Sequence, residues 1–568
     1  MGHIDEILAI LYRLYDPNDA AVAGKRIEAL LSKHGTNDSV ESISRFSQSD
    51  VVLITYADSL IEPGRVPLRL MGDFARRYLK PGFSAIHFLP FFPFSSDDGF
   101  SVIDYLALDP SVGRWDDVAA FSGDFDLMFD YVLNHISAKS RWFASYLAQE
   151  PPFGELALAV DPGADLSQVT RPRALPLLTP FARSDGETVH LWTTFSEDQI
   201  DLNYKSIDVL LKMIEVLLFY VERGARLLRL DAVAYLWKEI GTSCIHLDQT
   251  HDVVRLLRKI LDAAAPESII ITETNVPHEE NISYFGNGSD EAQMVYNFTL
   301  PPLLLHTFLS EDAREFSQWA GSLATPGDET TFFNFTASHD GIGVRPVEGI
   351  LSARQIERLI QTVRKNGGQV SYKQNPDGSQ SPYELNITYV DALGRGDGLD
   401  ADRFLASQSV QAALPGVPGI YIHSLLGSRN WLEGVAQTGR ARTINRQKLQ
   451  VQTVMQELQN PESFRYRVFH PYIHLLQTRR AQEAFHPNAA FEVLHLDRRV
   501  VAIKRQSLHQ RIFALVNISS EAVAVSLATQ SGEDRLSELL SGRQLAADRI
   551  DLAPYQTVWL SSVHSKTA

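Results

Sequence analysis

Cysteine is almost missing from this chain; Cys244 stands alone. That excludes an intrachain disulfide framework and suits a reducing, cytoplasmic compartment. Long hydrophobic runs are missing too. No apolar stretch approaches the ~20 residues that span a bilayer, so no membrane partner is expected. The opening MGHIDEILAILYRLY lacks the basic-then-apolar order of a secretory signal. Positive charge is in short supply: 52 Lys and Arg against 69 Asp and Glu leave a net charge of −17. Phosphate backbones want a basic surface, so a nucleic-acid partner is not expected either. The acidic residues are spread rather than blocked, which favours a soluble, self-repelling surface over an acidic tail. The chain also lacks a Gly-rich phosphate loop, a Cys/His metal cluster, an internal repeat and low-complexity runs. The expectation is no metal and no cofactor.

What is present is a large apolar inventory, 44% of 568 residues, enough for a sizeable core and more than one domain. Residues 1–48 read as helical, with Ile4, Ile7, Leu8, Leu11 and Leu14 at three- and four-residue spacing. Short apolar runs then recur: VVLIT (51–55), AIHFL (85–89), LMFDYVL (127–133), ARLLRL (225–230), SIIIT (268–272), MVYNF (294–298), TFFNFTA (331–337) and GIYIH (419–423). Near-continuous rather than alternating runs mark strands buried on both faces. Helix-like segments at 208–224 and 251–265 separate some of them. Eight runs alternating with helices predict an α/β chain folded as a (β/α)8 TIM barrel. Long Pro- and Gly-rich gaps predict loop-inserted subdomains at about 136–205 and about 344–405 within a catalytic region 49–486. From 487 to 568, RRVVAIKRQ, QRIFALVNI, AVAVSLA and QTVWLSS predict a C-terminal all-β domain.

Catalytic groups of such a barrel sit at the C-terminal ends of its strands. There the chain places Asp97 and Asp98, then Asp130, Asn134 and His135, then Arg229 and Asp231, Glu273, and finally His339 and Asp340. Several carboxylates converging without a metal cluster point to glycoside transfer. One ionised carboxylate attacks the anomeric carbon and a second, kept protonated, donates to the leaving oxygen. Arg229, two residues from Asp231 and on the same strand face, is expected to hold that Asp ionised. Burial is expected to raise Glu273.

At these positions the chain resembles the α-amylase superfamily of retaining glycosidases, glycoside hydrolase family 13. The family's four short regions map in order onto DYVLNH (130–135), LRLDAVAY (228–235), ITETN (271–275) and ASHDGIG (337–343). The resemblance implies Asp231 as nucleophile, Glu273 as general acid/base and Asp340 as stabiliser of the oxocarbenium, with His135, Arg229 and His339 around the donor glucose. Further stretches, including HFLPFFPFSSDDGFSVIDY (87–105), LPPLLLH (300–306) and LPGVPGIYI (414–422), resemble the sucrose phosphorylase subgroup. By that resemblance Asp97, Phe100 and Arg446 hold the donor sugar, Arg173 handles phosphate and Tyr383 faces the acceptor. Two departures, the helical first 48 residues and the TETNVPHEENISYFGNG and Glu384 sequences, resemble instead the glucosylglycerate phosphorylases of the same subgroup.

The implied reaction is a hexosyl transfer: reversible phosphorolysis of 2-O-α-glucosylglycerate, with inorganic phosphate as co-substrate. Sucrose, sucrose 6-phosphate or glucosylglycerol phosphorylase, and an α-glucosidase or transglucosidase with the same core, remain alternatives. A non-catalytic binding module fits less well, because all three carboxylates are kept. Partners are a small-molecule sugar and phosphate; oligomeric state is left open, a homodimer included. Lys238 and Glu239 read as helix-start charges, Cys244 as packing, and Asn134 as either a loop fastener or a substrate contact.

Overall fold

The computed structural model describes residues 2–34, 45–173, 175–375 and 378–563. Eight parallel strands close into a barrel: β1 (Val52–Thr55), β2 (Ala85–Phe88), β3 (Asp126–Tyr131), β4 (Ala225–Leu230), β5 (Ile269–Thr272), β6 (Met294–Tyr296), β7 (Thr331–Phe335) and β8 (Val417–Tyr421). Each pairs with its neighbours in sequence, and β1 closes on β8 through Val52 opposite Gly419. Each of the apolar runs became one strand, with ends shifted by a few residues. β1, β2, β5 and β7 are buried at every position, as strands covered on both faces must be. The FLPFFPF segment packs as expected: Phe91 and Phe92 sit among Phe129, Trp115 and Tyr220.

Helix α1 (His3–Leu14) and helix α2 (Pro17–His34) precede the barrel. α1 buries Ile7, Ile10, Leu11 and Leu14, while Ile4 and Leu8 are only half-buried. Gly24 lets the two helices approach closely, since a Cβ there would stand 2.4 Å from Leu8 Cδ2. α1 lies on a barrel helix, α4 (Asp248–Ala264), and α2 on α3 (Ile207–Glu222). The helical expectation over 1–48 ends there: residues 35–44 lie outside the described residues, and 45–48 are not helical.

Between β3 and β4 the chain inserts short paired strands and a helix (Arg141–Leu147). A small core of Val160, Val169, Leu177, Trp192 and Cys244 holds part of this region. Between β7 and β8 it inserts helix Ala353–Lys365 and a hairpin, Gln369–Gln374 with Gln380–Asn386, which pairs with Ile342–Gly343. The end of the chain forms a six-stranded antiparallel sheet, running from Ala490–Leu494 to Gln544–Ala546, plus a two-stranded ribbon. The four segments read as strands there are all strands.

Candidate active site

The strand ends of β2, β3, β4, β5 and β7 converge on a chamber of about 70 Å3 lined by Phe100, His135, Asp231, Glu273, His339 and Asp340. It opens into a vestibule of about 420 Å3 lined by Arg173, Tyr383, Arg440, Arg442 and Arg446 together with Asp97, Asp98 and Glu384. Asp97, Arg173, Gln199, Tyr383, Glu384 and Arg442 border both cavities and form the neck between them. Of the residues singled out at the strand ends and by the resemblance, Arg229, Asp130 and Asn134 line neither cavity, and the others line one or both.

Strained backbone aims several of these groups. Asp97, Asp98 and Ala232 all hold positive φ, 54°, 50° and 52°, a conformation that non-glycine residues keep only where their surroundings enforce it. Gly99 follows at φ 112°, where a Cβ would stand 2.7 Å from the Pro90 carbonyl oxygen. The turn at Ala232 points its N–H at Glu273, donating to Oε2 at 3.1 Å.

Arg229 is buried and faces three acids. Its Nη1 donates to Asp231 Oδ1 at 2.8 Å and bonds Asp130 more closely still, while Nη2 stands 3.9 Å from Glu273 Oε1. Asp130 is fully buried and also takes a 2.8 Å hydrogen bond from His87 Nε2. Burial raises the Asp130 carboxyl, but Arg229 and His87 outweigh it and hold it below its ordinary range. This division limits what Arg229 does for Asp231. Burial drives Asp231 well above the usual carboxylate range, Arg229 offsets only part of that, and Glu273 pushes it further up. Glu273 is itself raised, first by burial and then, against Arg229, by Asp340. Two carboxyls in one dry pocket cannot both ionise cheaply, so the arrangement favours one proton between the pair. The shorter distance from Arg229 favours the charge on Asp231 and the proton on Glu273; the neutral Ala232 N–H opposes this more weakly.

Asp340 behaves in the opposite way. Burial raises it, but Arg442, His339 and Arg446 together hold it far below the ordinary range. Arg442 Nη1 is 2.7 Å and Arg446 Nη2 3.7 Å from its Oδ1, and His339 Nε2 is 3.4 Å from its Oδ2. Asp97 is likewise lowered, against burial, by Arg173, Arg442 and Arg446. Arg446 also donates to the His339 carbonyl at 2.7 Å and bonds Asp98. The Phe100 ring stacks on His339 with centroids 4.7 Å apart and planes 6° from parallel. Burial lowers His339 to about 3, so it is neutral at working pH.

His135 Nε2 donates to the Phe100 carbonyl at 2.9 Å, and its Nδ1 faces Asn134 Nδ2 at 3.3 Å. Asn134 is a fastener. Its Oδ1 accepts from Lys238 Nζ at 2.9 Å and its Nδ2 donates to Asp201 at 3.2 Å. Lys238 is therefore not a surface charge at a helix start: it is 5% exposed and pairs with the wholly buried Asp201 at 2.8 Å. Among the described residues no group of three or more His, Cys, Asp and Glu could hold a metal ion.

Arg173 stands at the neck, 3.3 Å from Asp97 Oδ2, with its guanidinium 5.6 Å from the Phe195 ring centre. Sequence reasoning missed Arg442, which grips Glu384 with Nη2 at 2.5 Å and Nε at 3.1 Å while holding Asp340. It also missed Gln199, 3.1 Å from His135 and 3.4 Å from Asp97. Neither lies in a strand-end motif. Arg442 sits only four residues before Arg446, the one local signal that could have found it.

Residues 77–325 match the family described as alpha amylase, catalytic domain. The chain is 47% identical over 519 residues to the glucosylglycerate phosphorylase of Escherichia coli, covering 91% of this chain and 92% of that one. It is 46% identical over 590 residues to the glucosylglycerate phosphorylase of Spirochaeta thermophila, covering 100% of both. The fold is similar to the crystal structure of sucrose 6F-phosphate phosphorylase from Thermoanaerobacter thermosaccharolyticum. That match has a TM-score of 0.74 at 24% identity and covers 85% of this chain and 96% of the other. The chain belongs to the glucosylglycerate phosphorylase family of the α-amylase superfamily.

Proposed function

We propose that the chain catalyses reversible phosphorolysis of 2-O-α-glucosylglycerate to α-glucose 1-phosphate and glycerate, with retention at the anomeric carbon. The observation that carries this reading is the junction of the two cavities. A carboxylate chamber fit for a glucosyl group opens directly onto an arginine-rich vestibule fit for an anion. The full-length relatives supply the acceptor, since their names specify glucosylglycerate.

Glu273 gives its proton to the glycosidic oxygen as an Asp231 oxygen attacks C1. The C1–O bond breaks, glycerate leaves, and a β-glucosyl ester on Asp231 remains. A phosphate oxygen then attacks C1, its proton passing to the Glu273 carboxylate, and Asp231 is released. A retaining reaction calls for these two carboxyls about 5–5.5 Å apart. Asp340, fixed as an anion by Arg442, faces the positive charge that develops on the sugar ring. His135, Arg229, His339, Phe100, Asp97 and Arg446 hold the glucosyl group. Arg173 binds phosphate, because a guanidinium fork matches it bidentately, and Tyr383 borders the acceptor. No cofactor takes part. We also propose the division into N-terminal helices (1–48), barrel with its insertions (49–486) and C-terminal β domain (487–568), and a cytoplasmic site of action, supported by the single cysteine. Among the described residues no helix is long and apolar enough to cross a membrane.

The deciding assay measures α-glucose 1-phosphate from glucosylglycerate, glucosylglycerol, sucrose and sucrose 6-phosphate, each with and without phosphate. Product from glucosylglycerate in phosphate alone is expected. Free glucose released equally with or without phosphate would remove the phosphorylase reading, and turnover of sucrose but not glucosylglycerate would remove the acceptor.

A further inference from the structure

Two routes lead from the N-terminal helices to the chamber wall, and both start at Tyr15, the residue that ends α1. In the first, the Tyr15 phenol donates to the Tyr204 carbonyl at 2.6 Å, and the Tyr204 phenol donates to the Leu133 carbonyl at 2.7 Å. Leu133 directly precedes Asn134 and His135. In the second, the Tyr15 ring lies 6.3 Å, centroid to centroid, from Trp237. Among the described residues the buried Trp237 indole N–H has no hydrogen-bond partner, so packing holds that ring in place. Its neighbour Lys238 bonds Asn134 at 2.9 Å and Asp201 at 2.8 Å, and Asn134 stands 3.3 Å from His135 Nδ1. Both routes end at residues 133–135.

Tyr15 is itself held from behind. Arg13 pairs with Asp252 of α4 through two hydrogen bonds, 3.0 and 2.6 Å, and Lys259 of the same helix reaches Glu6 at 2.7 Å. Beneath these pairs, Ile7, Ile10, Leu11 and Leu14 are buried. The helices are thus docked along the outside of the barrel, and one side chain carries their position inward.

We propose that Tyr15 is a positioning residue through which the N-terminal helix pair holds His135, and with it the glucosyl-binding wall of the chamber. This rests on the reading that the chamber receives the glucosyl group. Tyr15 touches no substrate; it acts by fixing the backbone at Leu133 and the Lys238–Asn134 bond. Small displacements of such a wall are costly because transfer requires the reacting atoms already aligned.

The test compares full-length Tyr15→Ala, Tyr15→Phe and Arg13→Ala with wild type. Phosphorolysis kinetics are measured well below the unfolding transition, beside Tm and the NMR signals of the His135 ring. Tyr15→Ala is expected to lower kcat/KM roughly ten-fold and to shift the His135 signals. Tyr15→Phe keeps the ring against Trp237 and should recover part of the loss. Arg13→Ala weakens docking without touching either route, so it should lower Tm and leave kcat/KM within about two-fold. Equal losses of Tm in Tyr15→Ala and Arg13→Ala, with kcat/KM and the His135 signals unmoved in both, would overturn the proposal. Should the Ala variant not fold, Tyr15→Phe decides, and wild-type kinetics with unshifted His135 signals would be the negative result. A wild type that makes no glucose 1-phosphate would count against the functional reading alone, because the His135 signals report the coupling without substrate.

Discussion

The chamber sets Asp231 and Glu273 above Arg229, with Asp340 held from the neck by Arg442, whereas the vestibule lines up Arg173, Arg440, Arg442 and Arg446 against Asp97, Asp98 and Glu384. Only the side chains of the neck separate the two. In the chamber, burial raises both Asp231 and Glu273, the direction a general acid needs. In the vestibule an excess of guanidinium suits an anionic nucleophile that must outcompete water. Arg442 belongs to both, and by holding Asp340 ionised it prevents that third carboxyl from joining the proton-sharing pair. Under the proposed function, adjacent pockets of opposite charge balance would let one site take a sugar cation and a phosphate anion in turn.

The sharpest break in this contrast is expected from the nucleophile. Asp231→Asn should lower kcat by on the order of 10^4-fold or more with little change in Tm, since the amide oxygen still accepts from Arg229 and Arg229 keeps its pair with Asp130. Near wild-type turnover would mean the nucleophile is misassigned. Next comes the neck. Arg442→Ala removes the nearest cation from Asp340 and Glu384 and should cost about 3 kcal/mol of stability in denaturant unfolding. The sign of its pH dependence follows from the lowered carboxyls. Asp340 and Asp97 titrate below their ordinary value in the folded state. Their stabilisation is therefore full above the unfolded value of about 4 and fades as pH falls through the folded values. The deficit of Arg442→Ala should narrow below that pH, and a deficit constant with pH would show that Arg442 acts by packing instead. In the vestibule, Arg173→Ala should raise the phosphate KM about ten-fold or more with a smaller change in kcat; a pure kcat effect would move Arg173 out of the phosphate role. The smallest effect concerns the shared proton. Asp340 raises both members of the pair, so Asp340→Asn should shift the titration of Asp231 and Glu273 to lower pH, read by infrared spectroscopy of the carboxyls. An upward shift would contradict the charge assignment.

The two regions also differed in how far they could be read in advance. The chamber was legible because its groups hang on strand ends: an apolar run sets a strand, and the next polar residues fall at the barrel mouth. Asp231, Glu273, His339 and Asp340 all follow that rule. The neck was legible only in part: the resemblance named Asp97, Arg173, Tyr383 and Glu384, but not Arg442 or Gln199. Arg442 meets Glu384 across 58 positions and Gln199 meets His135 across 64, and nothing local in either segment specifies the pairing. Lys238 was misread for the same reason: it follows the strand-four motif and looks exposed there, yet its partners Asn134 and Asp201 arrive from the insertion after strand three.

By itself, the order of apolar runs and motifs determined the barrel, the C-terminal strands and the residues that line the chamber, because burial on both strand faces and alternation along a strand are local rules. Only the tertiary structure decided which charges neutralise which. A carboxyl's proton depends on desolvation and on cations brought from distant loops, so Asp231 beside Arg229 reads as a simple ion pair in sequence. Folded, Arg229 is shared with Asp130, and burial and Glu273 raise Asp231 against it.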